Sequence, residues 1–232
     1  MSMKINKILL QLYLLVLFPF LTYADGFNED YETYSRISGT INLGGVFTKG
    51  TMEPDVNSPD ATKTDQGLIS WGGAFGAQSS LFITDKIAFE LFALANLCPI
   101  NNIVLNSLVN GSSASSASAT GSSNPLMIYI PFGAGLNFHP FPFGGIDPYM
   151  GLGGEYDLIF STSNSLTPAN AFTWYAKFGV SLIKPNNSIM SLEIKKGFLN
   201  HNITVTDSKA AKHIYKMILE PWIITFNFGY NL

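Results

Sequence analysis

The sequence predicts an all-β fold, an eight-stranded antiparallel transmembrane β-barrel with short periplasmic turns and long extracellular loops. Three observations predict it. Charged residues make up 12% of the chain and hydrophobic residues 47%, whereas soluble domains carry about 25% charged residues. After the first two dozen residues, no apolar run reaches the ~18 residues that a membrane-spanning helix needs. The rest of the chain alternates between apolar and polar residues, which is the period of a β-strand with two unlike faces.

The N-terminal segment has the pattern of an export signal. Lys4 and Lys7 precede an apolar stretch over residues 8–21, and small residues ending at Ala24 follow it. An uncleaved anchor helix is the alternative, but the apolar stretch is short and contains Pro19, which favours cleavage after Ala24. The predicted boundaries are a cleaved signal peptide over 1–24, a periplasmic N-terminal segment over 25–34 and the outer-membrane β-barrel over 35–232.

Eight segments of the exported chain alternate with a period of two. In the first segment, Ile41 and Leu43 alternate with Thr40 and Asn42, and the apolar set is expected to face lipid. Segments of about ten residues can cross a membrane as tilted strands, and eight is the smallest usual number of strands in such a barrel. The predicted strands lie within residues 36–47, 69–78, 87–91, 130–138, 150–160, 174–182, 190–195 and 222–232.

The connections between these segments alternate strictly between short and long. The short ones are rich in turn-forming residues and cover 84–85, 139–145 and 185–187. The long ones cover 49–65, 96–124, 161–171 and 199–212. This alternation is typical of bacterial outer-membrane barrels, which are surrounded by outer-membrane lipid. A soluble lipocalin-like barrel would also alternate, but it would place its apolar faces inside. Here large aromatic residues occupy the apolar faces, and Gly, Ser and Asn dominate the polar faces, which are small enough for a narrow lumen.

The second long connection has two parts of different composition. Residues 110–124 consist of Ser, Ala, Gly and Thr between two Asn, a composition that predicts a mobile loop tip. Residues 100–109 are largely apolar and predict a short helix or a strand extension above the membrane. This apolar part is either a hydrophobic brace within the loop or an apolar lip over the mouth of the barrel.

Four pieces of the chain resemble the OmpW family of small outer-membrane proteins. They are the hairpin over 81–91, the Pro-bearing strand over 130–139, the Pro-Tyr-x-Gly-x-Gly pattern within 147–156, and the Leu-Glu-Pro-Trp pattern at 219–222 leading to Phe228-Gly229-Tyr230. The resemblance implies a narrow channel for small hydrophobic molecules, and sideways release of such molecules through the barrel wall is one form of that function.

The same resemblance implies that the outer-membrane insertion machinery reads the end of the chain as a signal. The residues of this C-terminal insertion signal are Phe226, Phe228, Tyr230 and Leu232. The family ends in Phe, so Leu232 is a departure from its pattern. A further departure is the Ser/Ala-rich insert in the second long connection.

Charged residues on the inward-facing positions are the candidate functional residues of the lumen. They are Arg36, Glu90, Glu155, Asp157, Lys177, Glu193 and Lys195. Because the interior of an eight-stranded barrel is barely wide enough for side chains, these charges can form an internal salt-bridged plug. Alternatively, they form a gate below a hydrophobic entry pocket. The inward face also leads us to expect that Gly179→Ser is milder than a charge placed on the lipid face at Phe178.

Other classes of function are not favoured by the sequence. The net charge of −3 with 13 Lys and Arg argues against a nucleic-acid binder, and a single Cys, Cys98, excludes a disulfide framework. His139, His201 and His213 are interpreted as solvated turn and loop residues, so no metal, cofactor or catalytic residue is predicted, and we expect no enzyme. Two functions remain, a passive channel for small hydrophobic solutes and a surface-exposed structural or adhesive protein (an antigen) with a plugged lumen.

Overall fold

The structure is a computed structural model that describes residues 37–48, 50–54, 67–69, 71–84, 86–110, 124–140, 146–183 and 187–231. The predicted signal peptide, the N-terminal segment and most of the Ser/Ala-rich loop tip lie outside this part of the chain, as do Arg36 and Leu232. In chain order the elements are β1 (Ile37–Phe47), β2 (Gly50–Pro54), β3 (Trp71–Phe82), β4 (Ile87–Pro99), α1 (Asn102–Asn110), β5 (Leu126–Phe138), β6 (Ile146–Ser161), β7 (Leu166–Pro168), β8 (Ala171–Ile183), β9 (Ser188–Gly197), β10 (Leu199–Thr206), β11 (Lys212–Leu219) and β12 (Trp222–Asn231).

Eight of these strands close into the predicted barrel, in the order β1-β12-β9-β8-β6-β5-β4-β3. All neighbouring pairs are antiparallel, and β1 closes the ring by pairing with both β12 and β3. The short connections and both ends of the barrel sequence lie at one end of the barrel, which is referred to below as the turn end. The long connections lie at the opposite, loop end.

The alternation along each strand separates an outer wall from a lumen, as predicted. In β1, Ile41 is 59% exposed whereas its neighbour Asn42 is 1% exposed. Phe226, Phe228 and Tyr230 lie on the exposed face of β12. In water, this wall of aromatic and aliphatic side chains would be a continuous exposed apolar surface, which is unfavourable. The wall is stable only against lipid.

A second sheet stands on the loop end of the barrel, in the order β2-β11-β10-β7. The long connection predicted over 199–212 contains a hairpin, since β10 and β11 extend β9 and β12 beyond the barrel. The period of two continues through β10, where His201, Ile203 and Val205 are buried and the residues between them are more exposed. A strand whose alternation does not break at the membrane surface has no reason to end there.

The short helix α1 packs its apolar residues into a cluster at the loop end. Val104, Leu105 and Leu108 are buried in this cluster together with residues of the barrel and of the second sheet. The backbone oxygen of Val109 accepts a hydrogen bond from the N–H of Ser208, beyond β10, at 3.0 Å. The helix thus braces the loop against the second sheet. Among the described residues, no helix has the length and apolar character to span a membrane.

Candidate functional site

The barrel interior is divided into three levels, a polar floor at the turn end, a charged middle and an apolar chamber towards the loop end. Six of the seven predicted lumen charges are described, and each is 5% exposed or less. They are Glu90, Glu155, Asp157, Lys177, Glu193 and Lys195. The inward positions of β4, β6, β8 and β9 place all six at the middle level or at the floor of the chamber.

The polar floor contains a buried pair that the sequence does not suggest. His139 Nδ1 lies 2.8 Å from Asp147 Oδ2, and both side chains are buried. The imidazole ring also stacks on the ring of Tyr149, with their centroids 5.2 Å apart. The interpretation of His139 as a solvated turn residue is therefore wrong, because His139 continues the inward alternation of β5 by one residue beyond the exposed Phe138.

The middle level is held together by Lys177, which pairs with two carboxylates. Its Nζ contacts Glu90 and lies 2.8 Å from Glu193 Oε2. Asn137 donates a hydrogen bond to Glu90 at 2.9 Å, and the hydroxyl of Tyr149 donates one to Glu193 at 2.9 Å. Buried charges are tolerated only when they are paired and hydrogen-bonded, and these contacts meet that requirement for Lys177, Glu90 and Glu193, which are referred to below as the charged plug.

A second ion pair lies closer to the loop end. Lys195 pairs with Glu155, and its Nζ also lies 4.3 Å from the ring centroid of Phe92 and 5.1 Å from that of Tyr175. The two rings lie edge to face against each other, with centroids 5.2 Å apart. Cation–π contacts of this kind add to the attraction where water is excluded. Together, the two ion-pair groups place buried charges between the polar floor and the chamber.

The apolar chamber is a small cavity of about 20 Å³ above the pair of Lys195 and Glu155. Its floor contains Glu155 and Asp157. Its walls come from β1, β4, β5, β10, β11 and β12 and the residue before β12, and they are mainly apolar. The wall residues are Val46, Thr48, Asn96, Cys98, Tyr129, Pro131, Leu199, Leu219, Pro221 and Ile223.

The barrel wall beside this chamber is interrupted between β4 and β5. The paired residues run from Ile87 opposite Phe138 to Ala93 opposite Phe132, and pairing resumes at Asn96 opposite Tyr129. Pro131 lies within this interruption, and because proline has no N–H it cannot donate to the ladder. On its other side, Pro131 remains paired with Asp157 of β6.

His201 lies above the chamber, in the second sheet. It is 5% exposed, neither of its ring nitrogens has a hydrogen-bond partner, and its ring meets that of Tyr129 edge to face. Burial lowers the pKa of His201 from 6.5 to about 4, since an apolar setting disfavours the charged imidazole. The interpretation of His201 as a solvated loop residue is therefore wrong. His213, in contrast, is partly exposed, and its Nε2 lies 3.4 Å from Asp207 Oδ2.

A further ion pair lies on the outer surface of the barrel, between β9 and the residues that precede β12. Lys196 Nζ lies 2.9 Å from Glu220 Oε2 and 4.9 Å from the ring centroid of Trp222 on the outer wall. Pro221 lies between β11 and β12, where no ladder bond is required of it. Among the described residues, no group of three His, Cys, Asp or Glu side chains could hold a metal ion.

Several lumen residues were missed by the sequence reasoning. Tyr149, Tyr175, Asn96 and Tyr129 share the inward positions of the predicted charges, so the strand alternation could have identified them. His139 could have been found in the same way, because it lies two residues after the inward-facing Asn137.

Comparisons with known proteins agree with this architecture. The family model described as "OmpW family" matches residues 61–232. A protein of Rickettsia bellii, named as a candidate outer membrane protein, is 25% identical over 206 residues, which cover 87% of this chain and 82% of that protein. A similar protein of Rickettsia prowazekii is 21% identical and covers 90% of this chain and 88% of its own length.

Two solved structures share the fold. The crystal structure of the outer membrane protein OprG from Pseudomonas aeruginosa has a TM-score of 0.56 and 16% identity, covering 87% of this chain and 98% of that one. The solid-state NMR structure of the outer membrane protein AlkL in lipid bilayers has a TM-score of 0.56 and 14% identity, covering 89% of this chain and 95% of that one. At these identities the likeness concerns the fold alone. The turn end of the barrel described above is accordingly periplasmic, and the loop end is extracellular.

Proposed function

The chain belongs to the OmpW family of the outer membrane, and from this premise we propose that it is a narrow channel for small hydrophobic molecules. In this proposal, solutes enter the apolar chamber from the extracellular end and leave it sideways, through the barrel wall. The observation that carries the proposal is an apolar chamber that lies directly above a charged plug and beside an interruption in the wall.

The charged plug argues against passage along the barrel axis. Lys177, Glu90 and Glu193 fill the lumen with paired charges whose separation would leave each of them buried and unpaired. Breaking a buried pair costs about 3–5 kcal/mol, and an apolar solute offers no hydrogen bonds to offset that cost. For a hydrophobic molecule in the chamber, exit towards lipid therefore costs less free energy than exit towards the periplasm.

The interruption in the wall supplies a route towards lipid. Leu94 and Ala95 of β4 lack ladder partners on β5, opposite Ile130 and Pro131. Ladder hydrogen bonds are what hold neighbouring strands of a barrel at a fixed spacing. Two strands without these bonds over two residue pairs separate at lower cost than any fully paired neighbours, and Pro131 lines the chamber at that point.

Uptake of a small aromatic hydrocarbon by intact cells tests this function. A Gram-negative host that expresses the chain should accumulate labelled naphthalene faster than the same host with an empty vector. Pro131→Val restores an N–H to β5 and should slow the uptake towards the host background. Pro148→Val is the matched control, because Pro148 also lies within a barrel strand but pairs regularly with Val180, away from the chamber.

Uptake equal to that of the empty-vector host, with the barrel folded in the outer membrane, would contradict the channel. Equal slowing by Pro131→Val and Pro148→Val would contradict the sideways exit but not the entry of solutes.

A surface-exposed structural or adhesive protein is the second candidate. The closed plug favours it, since a barrel with no axial opening serves well as an anchor, and so does the second sheet, which presents an ordered extracellular surface. Attachment of expressing cells to host surfaces, together with background uptake of naphthalene, is the result that would favour this function over the channel.

A further inference from the structure

Four polar atoms that lack hydrogen-bond partners converge on the apolar chamber. They are Thr48 Oγ1, Asn96 Oδ1, the hydroxyl of Tyr129 and Asp157 Oδ2. Three of these side chains are at least 95% buried. Buried polar atoms are nearly always hydrogen-bonded, and leaving one unpaired costs about 1–3 kcal/mol. Four such atoms around one cavity indicate a bound group that donates hydrogen bonds to them.

The charges around the chamber indicate that the bound group is positively charged. Glu155 is paired with Lys195, so this pair contributes no net charge. Asp157 has no cation within ion-pairing distance among the described residues, although it is 3% exposed. A buried carboxylate without a counter-charge is strongly disfavoured. A ligand that brings a positive charge to Asp157 would remove this penalty.

The types of unpaired atoms indicate how many hydrogen-bond donors the bound group carries. Asn96 Oδ1 and a carboxylate oxygen of Asp157 can only accept hydrogen bonds, while Thr48 and Tyr129 carry hydroxyls that can also accept. A primary ammonium group has three donors and no acceptor, which matches three of these four atoms, whereas an alcohol has a single donor. An ammonium group is also about the size of a water molecule, and the cavity of about 20 Å³ has room for one such group.

We propose that the chamber is a binding site for small primary alkylammonium ions, with the ammonium group held between Asp157, Asn96 and Tyr129. Because the cavity has room for the ammonium group alone, the alkyl chain must push apart the apolar side chains of Val46, Leu219 and Ile223 on the extracellular side. The inference rests on the proposed function for its route of entry, and it adds amphiphiles with a cationic head to the hydrophobic molecules of that function.

Calorimetric titration of the folded chain in lipid nanodiscs tests the site, with n-butylammonium and butan-1-ol as the two probes and empty nanodiscs as the blank for partitioning. Butylammonium should bind saturably, with a Kd about tenfold lower than that of butan-1-ol, because one charge-assisted hydrogen bond is at stake. Asp157→Asn keeps the size of the side chain and should abolish the difference between the probes. Tyr129→Phe removes only the hydroxyl and should weaken butylammonium binding about fivefold.

Asp147→Asn is the matched control, because Asp147 is an equally buried carboxylate at the opposite end of the lumen. It should leave butylammonium binding unchanged. The folded state of each variant is verified by the shift in gel mobility between heated and unheated samples. Equal Kd values for the two probes, no saturable binding, or an Asp157→Asn variant that binds like the original chain would each overturn the site, and the second result would mean that the cavity holds only water.

The site and the channel can fail separately. Saturable butylammonium binding without naphthalene uptake would leave the site standing and contradict the channel. Naphthalene uptake without a preference for the ammonium probe would leave the channel standing and contradict the site.

Discussion

The aromatic ring of Tyr149 fills the space that a side chain on Gly179 would need. A Cβ atom built on Gly179 would overlap the ring carbon Cζ and the hydroxyl of Tyr149, and that hydroxyl donates to Glu193 in the charged plug. The glycine is therefore needed for close approach between two neighbouring strands. The sequence leads us to expect that Gly179→Ser is milder than a charge at Phe178, and this close approach indicates a cost for the serine as well.

Gly179→Ser should lower the free energy of unfolding by about 1–3 kcal/mol, the usual cost of overpacking a filled interior. Urea titration in lipid vesicles measures it. Gly73→Ser is the matched control, since a Cβ on Gly73 meets no atom within 4 Å, and it should be near neutral. Equal costs for the two variants would mean that Tyr149 can move aside freely.

Phe178→Arg should destabilise the barrel by about 2–4 kcal/mol if the residue lies near the middle of the bilayer, because the charge would face hydrocarbon. Phe178 is 52% exposed on the outer wall. Ser181, three residues further along β8 and facing the lumen, supplies the control. Ser181→Ala should change the urea midpoint little. A larger effect from Ser181→Ala than from Phe178→Arg would shift the register of β8 by one residue.

Lys177→Met should cost about 3–5 kcal/mol, since it leaves Glu90 and Glu193 buried without their cation. Lys196→Met is the matched control on the outer wall. Its partner Glu220 is largely exposed, so the loss should be at most about 1 kcal/mol. The same unfolding titration compares the two, and similar values would show that the plug is hydrated rather than closed.

Acidification should weaken the second sheet through His201. The pKa of this imidazole is about 4 in the folded chain against an ordinary value of 6.5, so between these pH values the unfolded chain binds a proton that the folded chain does not. The contribution of the neutral imidazole to the free energy of unfolding is fully present above pH 6.5. It is lost as the pH falls towards 4, by up to about 3 kcal/mol.

Unfolding midpoints measured between pH 7.5 and 4.5 check this dependence. His201→Leu should flatten the profile over that range, whereas His213→Gln should not, because His213 is partly exposed beside Asp207. A profile that His201→Leu leaves unchanged would assign the acid sensitivity to other groups.

The barrel was predictable because its alternation is simple and physical. Ile41 and Asn42 differ in polarity and therefore face opposite sides, and this rule orders every barrel strand and places Lys177 inside. The rule does not say which inward residues meet, because contacts such as Lys177 with Glu90 join residues far apart in the chain. The alternation also runs unbroken from β9 into β10, so it could have predicted the second sheet where the sequence analysis expects a long connection from Leu199.

The pairing of β1 with β12 determines when the barrel can close during folding. Phe47 lies opposite Trp222, and Ser38 lies opposite Asn231. The ring is therefore closed by the barrel strand that is synthesised first and the barrel strand that is synthesised last. Contacts between such distant segments form slowly, because the intervening chain must be ordered first. A nascent chain that stops before Trp222 would leave β1 and β9 with open hydrogen-bonding edges, which hydrocarbon does not tolerate. A chain that lacks its last strand is therefore expected not to form a stable partial barrel, and closure of the ring has to wait for that strand.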